Sequence, residues 1–81
     1  MPWTPDYTQA FLEKIKALRH RYQRMQVRKK LDEIRSLLHP KDKGGKYLNS
    51  DMWGYPFGGQ SFILCSLDED SEIITFEDLV I

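Results

Sequence analysis

The chain has 81 residues, 41% of them hydrophobic and 12% aromatic, which is enough apolar material for one thin core and too much for a disordered chain. Its single cysteine excludes an intramolecular disulfide framework, and no apolar run approaches membrane-spanning length. The formal net charge of zero is the sum of two opposed blocks: eight lysines or arginines and no acidic residue between Lys14 and Lys30, then six acidic residues and no basic one between Asp68 and Asp78.

These bounds predict one domain over residues 1–81, with a basic helical half (5–39), a loop (40–59) and an acidic β-hairpin half (60–81). The N-terminus, Met1-Pro2-Trp3-Thr4-Pro5-Asp6, lacks the basic-then-apolar order of a signal peptide. A reducing compartment, cytoplasm or nucleus, is the simplest expectation for a chain with one cysteine. Cys65 lies within Phe62-Ile63-Leu64-Cys65, where a cysteine behaves as a small buried hydrophobe rather than as a nucleophile or metal ligand.

The first element read from the sequence is a helix. Thr4 is suited to cap it and Pro5 to occupy its first position, where no N–H is needed. Tyr7, Phe11, Ile15, Leu18, Tyr22 and Met25 then recur at alternating four- and three-residue steps, an amphipathic stripe. The continuation of that stripe falls on Lys29, Asp32 and Ser36, all polar, while a second stripe runs through Val27, Leu31, Ile34 and Leu38 on nearly the opposite side. Either the helix breaks near Gln26, or one long helix buries opposite faces at its two ends. An unbroken helix would be roughly 50 Å long and would demand a dimer, so two helices, or one sharply kinked one, suit a monomer better.

Pro40 and Gly44-Gly45 end the helical region, and residues 41–50 read as a polar loop. The stretch Met52-Trp53-Gly54-Tyr55-Pro56-Phe57-Gly58-Gly59 reads as an aromatic loop, because its glycines and proline argue against a regular element. Residues 60–67 and 72–76, the latter with room to extend to Ile81, read as an antiparallel hairpin around Asp68-Glu69-Asp70-Ser71. The expected class is α+β: one long or two shorter N-terminal amphipathic helices, an aromatic loop, and a C-terminal antiparallel β-hairpin packed on the helices or on another chain.

The candidate site is the basic helix. Lys14, Lys16, Arg19, Arg21, Arg24, Arg28, Lys29 and Lys30 form a cationic surface of the kind that binds a nucleic-acid backbone by releasing condensed counterions. Solvated helix faces usually mix signs in i,i+4 pairs, and this window has none. Trp53, Tyr55 and Phe57 alternate with small residues, so in an extended conformation the three rings share one side and are candidates for base stacking. Core packing is the competing use of the same rings.

The acidic hairpin residues cluster on a turn and at the terminus rather than converging from separate elements, which argues against a metal-dependent nuclease. His20 and His39 carry no positional signature of an acid–base pair. No metal-binding or cofactor motif is present. The resulting expectation is a non-enzymatic regulatory or accessory protein, homodimeric because its core is thin, that grips nucleic acid, RNA ahead of DNA, by its phosphates. The alternative is a protein-interaction module, an inhibitor or adaptor that docks by the basic helix or the hairpin edge onto an acidic protein surface. A small toxin ribonuclease matches the length and the helix-then-strand order, and ranks third for want of an acid–base set. None of these readings requires a small-molecule substrate or a membrane.

Overall fold

The computed structural model describes residues 3–37, 39–42, 44–46 and 52–81, with Asp42 and Lys46 described by backbone alone. Leu38, the last member of the second stripe, and residues 43 and 47–50 of the polar loop lie outside the described residues.

The chain runs β1 (Thr4–Tyr7), α1 (Gln9–Lys16), α2 (Arg21–Arg35), a 3₁₀ turn (Pro40–Asp42), β2 (Gly45–Lys46), β3 (Trp53–Phe57), β4 (Ser61–Asp68) and β5 (Ile73–Val80). The strands form one sheet in the order β1-β5-β4-β3-β2, with β1 parallel to β5 and the other pairs antiparallel. The α+β class, the helical front half and the β4–β5 hairpin are as the sequence predicts.

Three local expectations are corrected. Residues 4–7 are an edge strand, not the first turn of a helix, and Pro5 is tolerated there because an edge position leaves its missing N–H without consequence. The helix starts instead at Thr8, whose Oγ1 accepts the Phe11 N–H at 3.1 Å. That same hydroxyl donates to the Glu77 carbonyl at 2.9 Å, tying the helix start to β5.

The helical region breaks at residues 17–20, not near Gln26. No glycine or proline forces the break. Leu18 is buried, and His20 adopts an extended backbone as the N-cap of α2, so the chain turns where the first stripe must give way to the second. Phe11 and Ile15 of α1, with Leu18 in the link, pack into the core, as do Val27, Leu31 and Ile34 of α2. Tyr22 and Met25, read as members of the first stripe, are 71% and 60% exposed. The molecule's longest dimension is 36 Å, and the broken helix removes the argument that a dimer must cover its length.

The aromatic segment is a strand, not a loop. Trp53, Tyr55 and Phe57 point to the helix side, opposite Cys65, Ile63 and Ser61 of β4, while Gly54 and Pro56 face the other way. Among the described residues β2 pairs with Trp53 and Gly54, and Pro56 lies beyond that pairing on β3. The β3–β4 turn runs through Gly58 and Gly59 at φ 57° and 100°, a left-handed region that favours glycine.

The core lies between the helices and one sheet face and is built on Phe11, Tyr55, Ile63, Cys65, Ile74, Phe76 and Leu79. Tyr7, Phe11 and Phe76 stack in a cluster with ring centroids 5.3–6.2 Å apart. Such pairs add about 0.5–1.5 kcal/mol each beyond the area they bury.

Candidate nucleic-acid interface

The eight cations of the basic window are distributed over two helices and their link. Lys14 and Lys16 stand in the last turn of α1, Arg19 lies in the link, and Arg21, Arg24, Arg28, Lys29 and Lys30 belong to α2. The break at 17–20 therefore separates Lys14 from the line it would have shared with Arg21 and Arg28.

Three of the eight are engaged within the chain. Lys14 Nζ pairs with Asp78 Oδ1 at 2.8 Å and donates to the Leu79 carbonyl at 3.2 Å, and this contact holds the Asp78 carboxyl below its ordinary value. Arg24 donates from Nε and Nη2 to the Leu18 carbonyl at 2.9 and 2.6 Å, satisfying an acceptor just past the end of α1. Lys30 pairs with Glu33 at 3.2 Å. Lys16, Arg19, Arg21, Arg28 and Lys29 are exposed and make no ion pair among the described residues. Arg21 and Arg28, seven residues apart, recur on one side of α2 roughly 10 Å apart along its axis.

The aromatic trio does not form a stacking platform. Tyr55 is 1% exposed and its hydroxyl donates to the Pro40 carbonyl at 2.8 Å. Trp53 and Phe57 are half-buried against the core, and Lys41 Nζ lies 5.3 Å from the Trp53 ring centroid. Among the described residues the exposed ring is Tyr22. With Met25, Gln26, Arg28 and Lys29 it lines a groove of about 710 Å³ between α2 and Phe57-Gly58 of the β3–β4 turn. Its signal in the sequence is the pair Lys29 and Asp32: the stripe that seemed to bury Tyr22 has polar successors.

The strands carry different chemistry from the helices. β3, β4 and β5 contain no lysine, arginine or histidine. Their ionisable groups are carboxylates, a thiol and a phenol, and most are spoken for. Burial pushes the Tyr55 phenol and the Cys65 thiol well above their ordinary values, so both stay protonated. Asp68 Oδ1 accepts the backbone N–H groups of Asp70 and Ser71 at the hairpin turn, and Asp78 is held by Lys14.

Glu77 remains. The register passes from Leu64↔Asp78 to Cys65↔Phe76, so Glu77 is the extra residue of a β-bulge, a device that re-aims a side chain. Its half-buried carboxylate accepts the Ser66 hydroxyl at 2.8 Å. The sequence carries the trace of this bulge, because apolar residues fall at 74, 76 and then 79, a step of two followed by a step of three. His20 and His39 are both exposed, and neither imidazole makes a hydrogen bond or ion pair among the described residues. Among those residues no helix is long and apolar enough to cross a membrane.

No protein-family model matches the chain, and no curated protein matches it in sequence. Its fold is similar to solved structures. A chain of the RelBE2 toxin–antitoxin complex from Mycobacterium tuberculosis superposes with a TM-score of 0.77 at 13% identity, over 99% of this chain and 98% of that one. A chain of the intact Escherichia coli RelBE toxin–antitoxin complex gives 0.74 at 14% identity, over 96% and 94%. The isolated E. coli RelE toxin gives 0.73 at 13% identity, over 96% and 82%. The solved structures it resembles are of RelE toxins and RelBE toxin–antitoxin complexes, and that likeness overturns the expectation of a non-enzymatic regulatory protein. Two helices laid on one face of a mixed sheet, β1 parallel to β5 and the rest antiparallel, give this chain the RelE toxin fold.

Proposed function

We propose that the protein is a toxin-type ribonuclease of the RelE fold that acts on messenger RNA and is held by an antitoxin-type partner protein. The observation that carries this reading is the likeness in fold over nearly the whole length of both chains. The RelE structures it resembles include complexes with antitoxins, which favours a protein partner over the homodimer expected from the sequence.

The chain's own chemistry supports the RNA part of the reading. Lys16, Arg19, Arg21, Arg28 and Lys29 form an unanswered cationic surface on the helical layer, suited to phosphates. Zero net charge weakens long-range attraction to RNA more than this local one, because half of the compensating carboxylates sit on the β4–β5 hairpin.

Cleavage of RNA through its own 2′-hydroxyl forms a 2′-O–P bond as the P–O5′ bond breaks, so a group must accept the 2′ proton while the departing 5′ oxygen takes one from water. Glu77, fixed by Ser66 on the open sheet face, is the residue we assign to that proton transfer. The phosphate-binding cations lie on the helical layer, so the RNA must wrap an edge of the molecule to reach both surfaces.

The test is primer extension on a defined message incubated with the purified protein, with and without translating ribosomes. Discrete cleavage that disappears in Glu77→Gln, while RNA binding persists, is the expected result. A message that stays full length at stoichiometric protein, under both conditions, overturns the reading.

A further inference from the structure

The groove between α2 and the β3–β4 turn leaves costly surface in water. Tyr22 and Met25, one helical turn apart, are 71% and 60% exposed, and half-buried Phe57 lies across from them. Two large apolar side chains so placed in a thin core need an explanation.

Charge narrows the occupant. The groove's carboxylates, Glu33 and Asp32, are answered by Lys30 at 3.2 Å and Arg35 at 4.0 Å. Arg28 and Lys29 make no ion pair among the described residues. The unanswered charge beside the exposed ring is therefore positive, and a polyanion complements it.

Length narrows it further. A helix docking into a groove needs apolar anchors over about two turns, at i, i+3 or i+4, and i+7. Here the apolar row is Tyr22 and Met25, and the next positions are Lys29 and Asp32. A row of two residues is too short for a helical peptide and suits one flat ring. Gln26 stands in the same groove with its amide beside Gly58, within 3.2 Å of where a Cβ on that glycine would lie, and a carboxamide both donates to and accepts from a base edge.

We propose that this groove is a nucleotide subsite for single-stranded RNA, in which an unpaired base stacks on Tyr22, Gln26 meets its edge, and Arg28 and Lys29 hold the adjoining phosphates. The subsite rests on the RNA reading of the cationic helical layer and lies apart from Glu77 on the opposite face of the sheet. It explains why an aromatic member of the first stripe is turned to solvent among arginines: its ring is for a ligand, and aromatic–base stacking tolerates any sequence.

The experiment is fluorescence anisotropy of a labelled single-stranded RNA oligomer titrated with the full chain over a series of salt concentrations. Tyr22→Ala is expected to weaken binding by about five- to a hundred-fold without altering the salt slope, since stacking involves no counterion release. Tyr22→Trp restores the affinity. Arg28→Glu with Lys29→Glu flattens the salt slope instead. Wild-type binding that Tyr22→Ala leaves unchanged overturns the subsite while the RNA reading stands. So does loss on Tyr22→Ala that Tyr22→Trp fails to restore. Absence of RNA binding by the wild-type protein, with polyglutamate bound at the groove instead, overturns the subsite and the RNA reading together.

Discussion

The Tyr55 hydroxyl donates to the Pro40 carbonyl oxygen at 2.8 Å from within the core. This one bond fixes the segment after α2 against β3, and Gly44 completes the contact. A Cβ at Gly44 would lie 2.8 Å from the Tyr55 ring and 3.1 Å from the Gly54 carbonyl oxygen. The phenol cannot ionise to any extent in this setting, because burial raises its pKa far above the ordinary value, with the nearby Cys65 adding to the effect.

Tyr55→Phe removes the donor and leaves a buried carbonyl without its partner. The expected loss is about 1–2 kcal/mol, read as a melting temperature lowered by roughly 4–15 °C. Gly44→Ala is expected to destabilise by about 1–3 kcal/mol, since the added methyl meets a ring held by its own hydrogen bond. Thermal denaturation followed by circular dichroism checks both, and a melting curve unchanged in both variants would remove Tyr55 from its anchoring role.

Arg24 and Arg28 are one helical turn apart on α2 and separate cleanly in what they do. Arg24→Ala loses the double contact to the Leu18 carbonyl and is expected to cost about 1 kcal/mol of stability, with the salt dependence of RNA binding unaltered. Arg28→Ala is expected to leave stability within about 0.5 kcal/mol and to reduce the salt slope by about one phosphate contact. Chemical denaturation and binding titrations on the same two proteins decide the matter, and exchanged phenotypes would refute the assignment.

Asp78 and Lys14 couple stability to acid. The Lys14 hydrogen bond lowers the Asp78 pKa from 3.8, so the pair contributes above that value and is lost as pH falls through the lower, folded-state value. Both side chains are more than a third exposed, and solvent screening limits the contribution to under about 1 kcal/mol. Asp78→Asn is therefore expected to be slightly less stable than the wild type at neutral pH and equal to it in strong acid. A stability gap between the two proteins that widens with acid would contradict this linkage.

Cys65 is fully buried, and burial, with Glu77 adding to it, pushes its thiol far above the ordinary value. The native protein is expected to resist a thiol-specific disulfide reagent at mildly alkaline pH and to react fully in concentrated guanidinium. Rapid modification of the native protein would show that β4 opens far more readily than its packing implies.

The local chemistry of the chain was legible without its tertiary structure wherever a period and its punctuation agreed. Phe11, Ile15 and Leu18, then Val27, Leu31 and Ile34, repeat at helical spacing, and the β4–β5 hairpin announces itself by alternation around Asp68-Glu69-Asp70-Ser71. Segregated charge marked the helical layer as a surface apart. Residues whose roles depend on a distant partner were not legible. Pro5 read as the first residue of a helix and Pro56 as a breaker, yet each falls in a strand at an edge of the sheet as described, which only the strand order reveals. Trp53, Tyr55 and Phe57 had the right alternation, but whether the shared side met a core or a ligand depended on β4 and the helices arriving there. Arg24 and Lys14 look identical in sequence to Arg28 and Lys29. What separates them is a carbonyl left open at the end of α1 and a carboxylate delivered by β5, and such long-range pairings form only when the chain closes on itself.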